Sequence, residues 1–316
     1  MSIIVFGSIN IDLVVTAPRL PVAGETLTGE EFLKIPGGKG ANQAVALARL
    51  GIPTHMVGRV GANHFGAELV QHLQDTGVQT QNIFADENVS SGVAIITVDH
   101  HGENHIIVIP GANGYVNQED IGRLSQLLPT AKALLLQLEI PINAVVAAAK
   151  AAHNANIKVI LDPAPAQSDL PAELYPLVDI ITPNEVEAGQ LVGFTVDGEE
   201  TAAKAAEVLL QRGVKSAIVK LGAKGSICAT PEETFFIPAF PVDAVDTVAA
   251  GDAFNGGLAA ALYHGLSLRE AVIWGTAAGA LATTKLGAQT SLPDKFTFDA
   301  FLKEKGVEIN QLKIKH

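Results

Sequence analysis

Two aspartates, Asp246 and Asp252, stand six residues apart around the turn Ala249-Ala250-Gly251 in the stretch DTVAAGDAFNGGLAAAL. Phe254, Leu258 and Leu262 recur at every fourth position behind them, so the spacing predicts a helix beginning near Asp252. Ala249, Ala250 and Gly251 carry no bulk to shield the first backbone N–H groups. Those groups and the positive end of the helix dipole form a ready site for an anion. A carboxylate placed there is either a helix cap or a base beside an anion hole. Gly256 and Gly257 in the opening turns cost about 1 kcal/mol each relative to Ala, which asks for close packing or a ligand.

Other stretches carry chemistry at the ends of apolar runs. In GGKGANQA, Gly37 and Gly38 allow close approach of backbone to a ligand, and Lys39 and Asn42 can donate to hydroxyls. A plain loop joining a small sheet to a helix is the other reading. Asn10 and Asp12 alternate with Ile9 and Ile11 and so point the same way. Glu139 closes the run ALLLQLE, as a solvated strand end or as an acceptor for hydroxyls. Asn184 and Glu187 follow Pro183 and share one face of a helix start, as an N-cap or as a water-mediated Mg2+ site. His100, His101 and His105 fall in an expected exposed hairpin without the surroundings of a metal site. The Lys of GGKGAN is followed by Gly, so there is no Walker A motif. No G-x-G-x-x-G follows the first strand, and no H-E-x-x-H occurs.

These residues need a scaffold. ALLLQLE, IKVILDP, VDIITPN and SAIVKLG are short apolar runs, each followed by a helical pattern such as PINAVVAAAKAAHNA or GEETAAKAAEVLLQRG, the latter stopped by Gly213. IIVFG and GANQAVALARLG repeat the theme at the start of the chain. Continuous apolar strands with helical crossovers predict an α/β fold with a mostly parallel sheet covered on both faces. Residues 12–36 and 91–110 lack a convincing helix, and the second reads as two strands turning near His101-Gly102. The expectation is one domain over 1–316 with a small sheet inserted as a lid. Ligands of such a sheet sit beyond the carboxyl ends of its strands, where Asn10, Asp12, Glu139, Asp162, Asn184, LGAKG and AAGD all gather.

Composition narrows the class. With 316 residues, 48% hydrophobic and 17% charged, the chain can bury a large core. A net charge of −12 argues against nucleic acid as a partner. Cys228 is the only cysteine and MSIIVFGSIN lacks the features of a leader, so a cytoplasmic location is expected. No run of about 18 apolar residues suggests a membrane span.

DTVAAGD resembles the C-terminal signature of the ribokinase (PfkB-type) carbohydrate kinase family, and GGKGAN resembles its N-terminal one. GSINID, LQLEIP, DPAPA, TPNEVE, LGAKG and KLGAQTS fall in the family's order across nearly the whole chain. The resemblance implies a three-layer α/β/α kinase of sugars such as D-ribose, using ATP, Mg2+ and a monovalent cation, K+. It implies that Asn10, Asp12, Gly38, Lys39, Gly40, Asn42 and Glu139 hold the sugar, with Asp252 as base. Ala249, Ala250 and Gly251 then supply the anion hole. Asn184 and Glu187 serve ATP–Mg2+, with Lys220, Gly222, Gly225 and Gly251 around the nucleotide and Thr276 near the adenine. Asp246, Val248, Ala282, Lys285, Gly287 and Ser291 hold the cation, and the lid pairs two copies as a homodimer. Two positions depart from the family's usual pattern: Ala249 replaces Gly, and Lys220 replaces a small hydroxyl residue. The same scaffold also serves fructokinases, adenosine kinases and sugar sensors, while a nicotinamide-dependent oxidoreductase would need the missing glycine fingerprint.

Overall fold

The computed structural model describes residues 1–101 and 103–307. Gly102, half of the expected hairpin turn, lies outside them. The chain opens with β1 (Ser2–Phe6), β2 (Asn10–Thr16), β3 (Glu31–Gly37), α1 (Lys39–Arg49), β4 (Thr54–Gly61), α2 (His64–Asp75) and β5 (Gln79–Asp86). It continues through β6 (Gly92–Val98), β7 (Asn104–Ile109), α3 (Gln118–Leu127), β8 (Ala131–Leu136), α4 (Ile142–Asn154), β9 (Lys158–Leu161) and β10 (Ile180–Ile181). It closes with α5 (Glu185–Val192), α6 (Glu199–Gln211), β11 (Ser216–Lys220), β12 (Gly225–Ala229), β13 (Thr234–Pro238), α7 (Ala250–Tyr263), α8 (Leu268–Ala282) and α9 (Lys295–Glu304).

Among the described residues the large sheet runs β13-β12-β11-β10-β9-β8-β1-β4-β5. Every pairing from β11 to β5 is parallel. β1 is buried along its whole length, as a strand covered on both faces must be. Two apolar clusters fill the faces: one packs α1, α2, α7, α8 and α9 against the sheet, the other α3, α4, α5 and α6. The three layers expected from the alternation are present. The antiparallel edge β12–β13 departs from that alternation, and α7 follows it without a crossover back into the sheet.

The two helix-poor stretches form a second sheet, β3-β2-β6-β7. It starts two residues earlier than expected, at Asn10, and ends at Gly37 rather than residue 36. β2 joins β3 antiparallel and β6 parallel. Asn10 and Asp12, which follow the carboxyl end of β1, therefore lie in the lid itself.

α7 sits unusually close to its neighbours. A Cβ on Gly256 would stand 2.5 Å from the Ala46 Cβ of α1, and one on Gly257 would stand 2.7 Å from the Trp274 carbonyl of α8. Close packing, not a ligand, accounts for this glycine pair.

Candidate active site

Asp252 is 4% exposed and sits in the first turn of α7, yet it does not cap the helix. The cap position belongs to Ala249, which makes no side-chain cap bond and adopts a left-handed backbone, φ 58 and ψ 8. Asp252 is the third helical residue, and its carboxylate turns away from the helix end toward α1. Asn42 Nδ2 donates to its Oδ2 at 2.9 Å, and Gln43 Nε2 donates to its Oδ1 at 3.1 Å. Burial pushes Asp252 up to about 6, reinforced by Asp162 and opposed by Lys39 and the two amides.

The turn ahead of Asp252 carries both engaged and open amides. The Ala250 N–H is engaged by the Thr247 carbonyl at 3.2 Å, so it is not an open member of the anion hole. The first i to i−4 bond runs from Ala253 to Ala249 at 2.8 Å. Among the described residues, the N–H groups of Ala249, Gly251 and Asp252 meet no backbone or side-chain acceptor. Unpaired amides of this kind at a helix N-terminus recognise phosphate oxygens.

Lys39 opens α1 amid four carboxylates. Burial alone would lower its pKa, but Asp252, Asp162, Glu139 and Glu187 together hold it above the ordinary lysine value. It stays a cation beside Asp252. Gly38, just ahead, takes φ 87, and a Cβ there would lie 2.8 Å from the Asn10 backbone nitrogen. The glycine run thus seats the start of α1 directly on the segment leading into the lid.

Asp12 faces this region from β2. Burial, and then the charge of Glu139, push its carboxyl up to about 7. Glu139 lies three residues past the end of β8 rather than closing it, and it accepts from the Lys39 backbone N–H at 2.9 Å and from Ser8 Oγ. Asn10 Oδ1 accepts from Asn113 Nδ2 at 2.7 Å. The Gly40 N–H donates to Ser8 Oγ at 3.3 Å.

A cavity of about 680 Å³ adjoins Asp252 on the other side. Lys39, Asn184, Glu187, Lys220, Gly222, Gly225, Ala249, Ala250, Gly251, Asp252 and Thr276 line it, together with Asp162. Asn10, Asp12, Gly38, Asn42 and Glu139 are not in its wall and form the lid-side group. Asn184 caps α5 reciprocally with Glu187: the Glu187 N–H donates to Asn184 Oδ1 at 2.9 Å, and the Asn184 N–H to Glu187 Oε2 at 2.8 Å. Burial and then Asp162 raise the Glu187 carboxyl against the pull of Lys220. Lys220 pairs with Asp162 at 3.1 Å. Thr276 Oγ1 donates to the Val272 carbonyl at 2.8 Å and lies in the cavity wall on α8.

No three His, Cys, Asp or Glu side chains converge as a metal cage among the described residues. Asp162, Glu187 and Asp252 line the cavity, and Mg2+ usually takes one or two carboxylates and completes its shell with phosphates and water. The expected cation group gathers two loops. Asp246 accepts from the Val248 N–H at 3.0 Å and the Gly287 N–H at 2.9 Å. Lys285 N–H reaches the Ala282 carbonyl at 3.4 Å, and Ser291 Oγ donates to the Ala288 carbonyl at 2.8 Å. Both oxygens of Asp246 are thus taken by backbone N–H groups, and the contacts tie residues 246–248 to Gly287. His100, away from both groups, bonds to Glu30 at 2.9 Å.

Several buried polar residues of the site, Ser8 among them, escaped the sequence reading. Gln43 Nε2 bridges Asp252 to Asp162, at 3.1 and 2.9 Å, and its Oε1 accepts from Gln137 at 2.6 Å. Gln289 Nε2 donates to Asn42 Oδ1 at 3.0 Å, and Asn113 supports Asn10. Gln43 and Gln289 lie inside quoted motifs, GGKGANQA and KLGAQTS, where a glutamine gives no sign that it is buried. The Asn42 amide is largely occupied by Asp252 and Gln289, which leaves one N–H proton for a sugar.

The sequence profile described as pfkB family carbohydrate kinase matches residues 1–295. A Haemophilus influenzae protein named ribokinase is 41% identical over 291 residues, covering 92% of this chain and 95% of its own. The crystal structure of ribokinase from Thermotoga maritima matches with a TM-score of 0.86 at 41% identity, over 96% of this chain and 99% of that one. Arabidopsis thaliana ribokinase complexed with ribose and ATP matches with a TM-score of 0.89 at 34% identity, over 96% and 98%.

Proposed function

Because the chain belongs to the pfkB family of carbohydrate kinases, we propose that it transfers the γ-phosphoryl group of ATP to the 5-hydroxyl of D-ribose. Asp252, ionised, accepts the hydroxyl proton as the sugar oxygen bonds to phosphorus and the bond to the β-phosphate oxygen breaks. The products are ribose 5-phosphate and ADP. The observation that carries this reading is one arrangement: a buried carboxylate, an adjacent lysine and open helix amides meeting between a polar lid and a nucleotide-sized cavity.

Asp12, Glu139 and Asn10 face the lid side and accept from, or donate to, sugar hydroxyls. A phosphorylated sugar would call for an Arg or Lys cluster there. The amides of Gly251 and Asp252, with Lys39, receive the charge of the phosphoryl oxygens in transfer. Asn184, Glu187, Lys220, Gly222, Gly225 and Thr276 hold the nucleotide, and Mg2+ bound with it would neutralise phosphate charge. Asp246 and the neighbouring carbonyls would hold K+, fixing the turn that orients the amides. One face of the lid sheet exposes Phe32, Ile95 and Ile107, an apolar face suited to a second copy of the chain.

An ADP-release assay across ribose, 2-deoxyribose, fructose and adenosine tests the assignment. Ribose should be turned over fastest. Preference for fructose or adenosine would replace ribose with another acceptor of the same family.

A further inference from the structure

A line of amides runs from Asp252 outside the wall of the cavity. Asn42 Nδ2 donates to Asp252 Oδ2, Gln289 Nε2 donates to Asn42 Oδ1 at 3.0 Å, and Gln289 Oε1 lies 2.8 Å from His72 Nε2. Gln289 is 3% exposed, and neither it nor His72 lines the cavity. Burying an amide costs free energy unless both its ends are bonded, and here both are.

The direction of every bond follows from the carboxylate. An ionised carboxylate only accepts, so Asn42 must present its NH2 to Asp252. Its carbonyl then faces Gln289 and needs a donor. Gln289 can supply one only if its own carbonyl points to His72, which must carry a proton on Nε2. Neutral imidazole with that tautomer and the imidazolium both satisfy this.

We propose that Gln289 is a positioning residue for the base, locking the Asn42 amide in the one orientation that donates to Asp252, with His72 as the terminal donor. The inference rests on Asp252 acting as the base. Without Gln289 the Asn42 amide can rotate or turn its carbonyl toward the carboxylate, and Asp252 loses both aim and a donor that favours its charged form. The charges facing Asp252, Lys39 from α1 and Asp162 beyond β9, are untouched by changes at residues 289 and 72.

The test measures kcat, both KM values and the pH profile for Asp252→Asn, Gln289→Leu, Gln289→Glu, His72→Gln and His72→Leu. Gln289→Leu should lower kcat roughly three- to ten-fold, the scale of one lost net hydrogen bond. KM for ribose and ATP should hold, and the acid limb of kcat should move to higher pH. Gln289→Glu has the same size but no proton to give at neutral pH, so it should fall at least as far. His72→Gln keeps a donor near the same place and should restore what His72→Leu loses. Wild-type kcat in both Gln289 variants overturns the proposal, as does a fall matched by rising KM with an unmoved acid limb. If the Gln289 variants do not fold, the His72 pair decides, and equal rates in Gln and Leu overturn it. An inactive Asp252→Asn beside normal Gln289 variants sinks this inference alone, whereas an active Asp252→Asn sinks the base reading beneath it.

Discussion

Asn42 and Asp252 lie 210 positions apart in sequence and meet at 2.9 Å, amide nitrogen to carboxylate oxygen. With Gln43 on the other oxygen, two consecutive residues of α1 hold the carboxylate that α7 presents. The N-terminal and C-terminal motifs are thus one site, joined by direct bonds between two helices. Each oxygen of Asp252 has a donor before any substrate arrives, which fits a carboxylate kept aimed rather than one free to rotate.

Asp252→Asn keeps the size of the side chain and removes the proposed base. General-base catalysis contributes about 10²- to 10⁴-fold, so kcat should fall by at least roughly 10² with ribose binding nearly intact. Steady-state kinetics with ribose binding measured by calorimetry checks this. Turnover close to wild type would rule out the base assignment.

The same variant should be more stable than the parent at neutral pH. Asp252 has its folded pKa raised to about 6, so the folded state binds a proton that the unfolded state has already released. Parent stability is therefore highest below the unfolded value and is lost as pH rises through about 6. Asn does not titrate, and its advantage should grow from pH 4 to 6 and then level off. Urea unfolding across that range measures it, and a variant less stable at pH 8 than its parent would contradict the burial argument.

Activity should show two acid-side ionisations. Asp12, at about 7, and Asp252, at about 6, must both be charged to accept from hydroxyls, so kcat/KM for ribose should decline below pH 7 and steepen below pH 6. Asp12→Asn should remove the upper step and keep the lower one. A profile identical to the parent's would exclude Asp12 from sugar recognition.

Gly256→Ala and Gly257→Ala should each destabilise the protein by about 1–3 kcal/mol, although alanine is the better helix former, because the added methyl overlaps α1 or α8. Chemical denaturation at fixed pH reports the sign. A gain in stability would mean that the helices can part.

Asp246→Ala should abolish any preference for K+ over a bulky organic cation. It should also lower activity in both salts, because the carboxylate itself braces Val248 and Gly287. Ile107→Asp, on the exposed face of the lid, should convert a dimer to a monomer in sedimentation at micromolar concentration. A parent that sediments only as a monomer would remove the lid as an association surface.

Much of this architecture was legible because apolar runs, glycine stops and the four-residue spacing behind Asp252 are local signals. The unit β4–α2–β5 was not read. Its first strand, THMVGRVG, carries Arg59, whose burial makes sense only beside Asp86 and Asp120, at 3.2 and 2.7 Å. The same holds for Gln289 and His72, whose partners lie 247 and 217 residues away. A buried polar residue looks like a surface one until the partner that satisfies it is in view. Asp252 was ambiguous for a related reason: its position near a helix start was visible, but the direction of its side chain was not.

The close seating of α7 has a bearing on how acceptor choice can be altered. Gly256 and Gly257 bring its backbone against α1 and α8, so no room can be opened for a larger sugar by trimming that helix, and any bulk added there displaces Asp252. β2 and β3, by contrast, form a thin sheet with one strand face still accessible, and Asp12 reaches the site from it. A mutant library seeking new acceptors belongs on those two strands, with the helix that carries Asp252 left as the fixed wall against which each new sugar is measured.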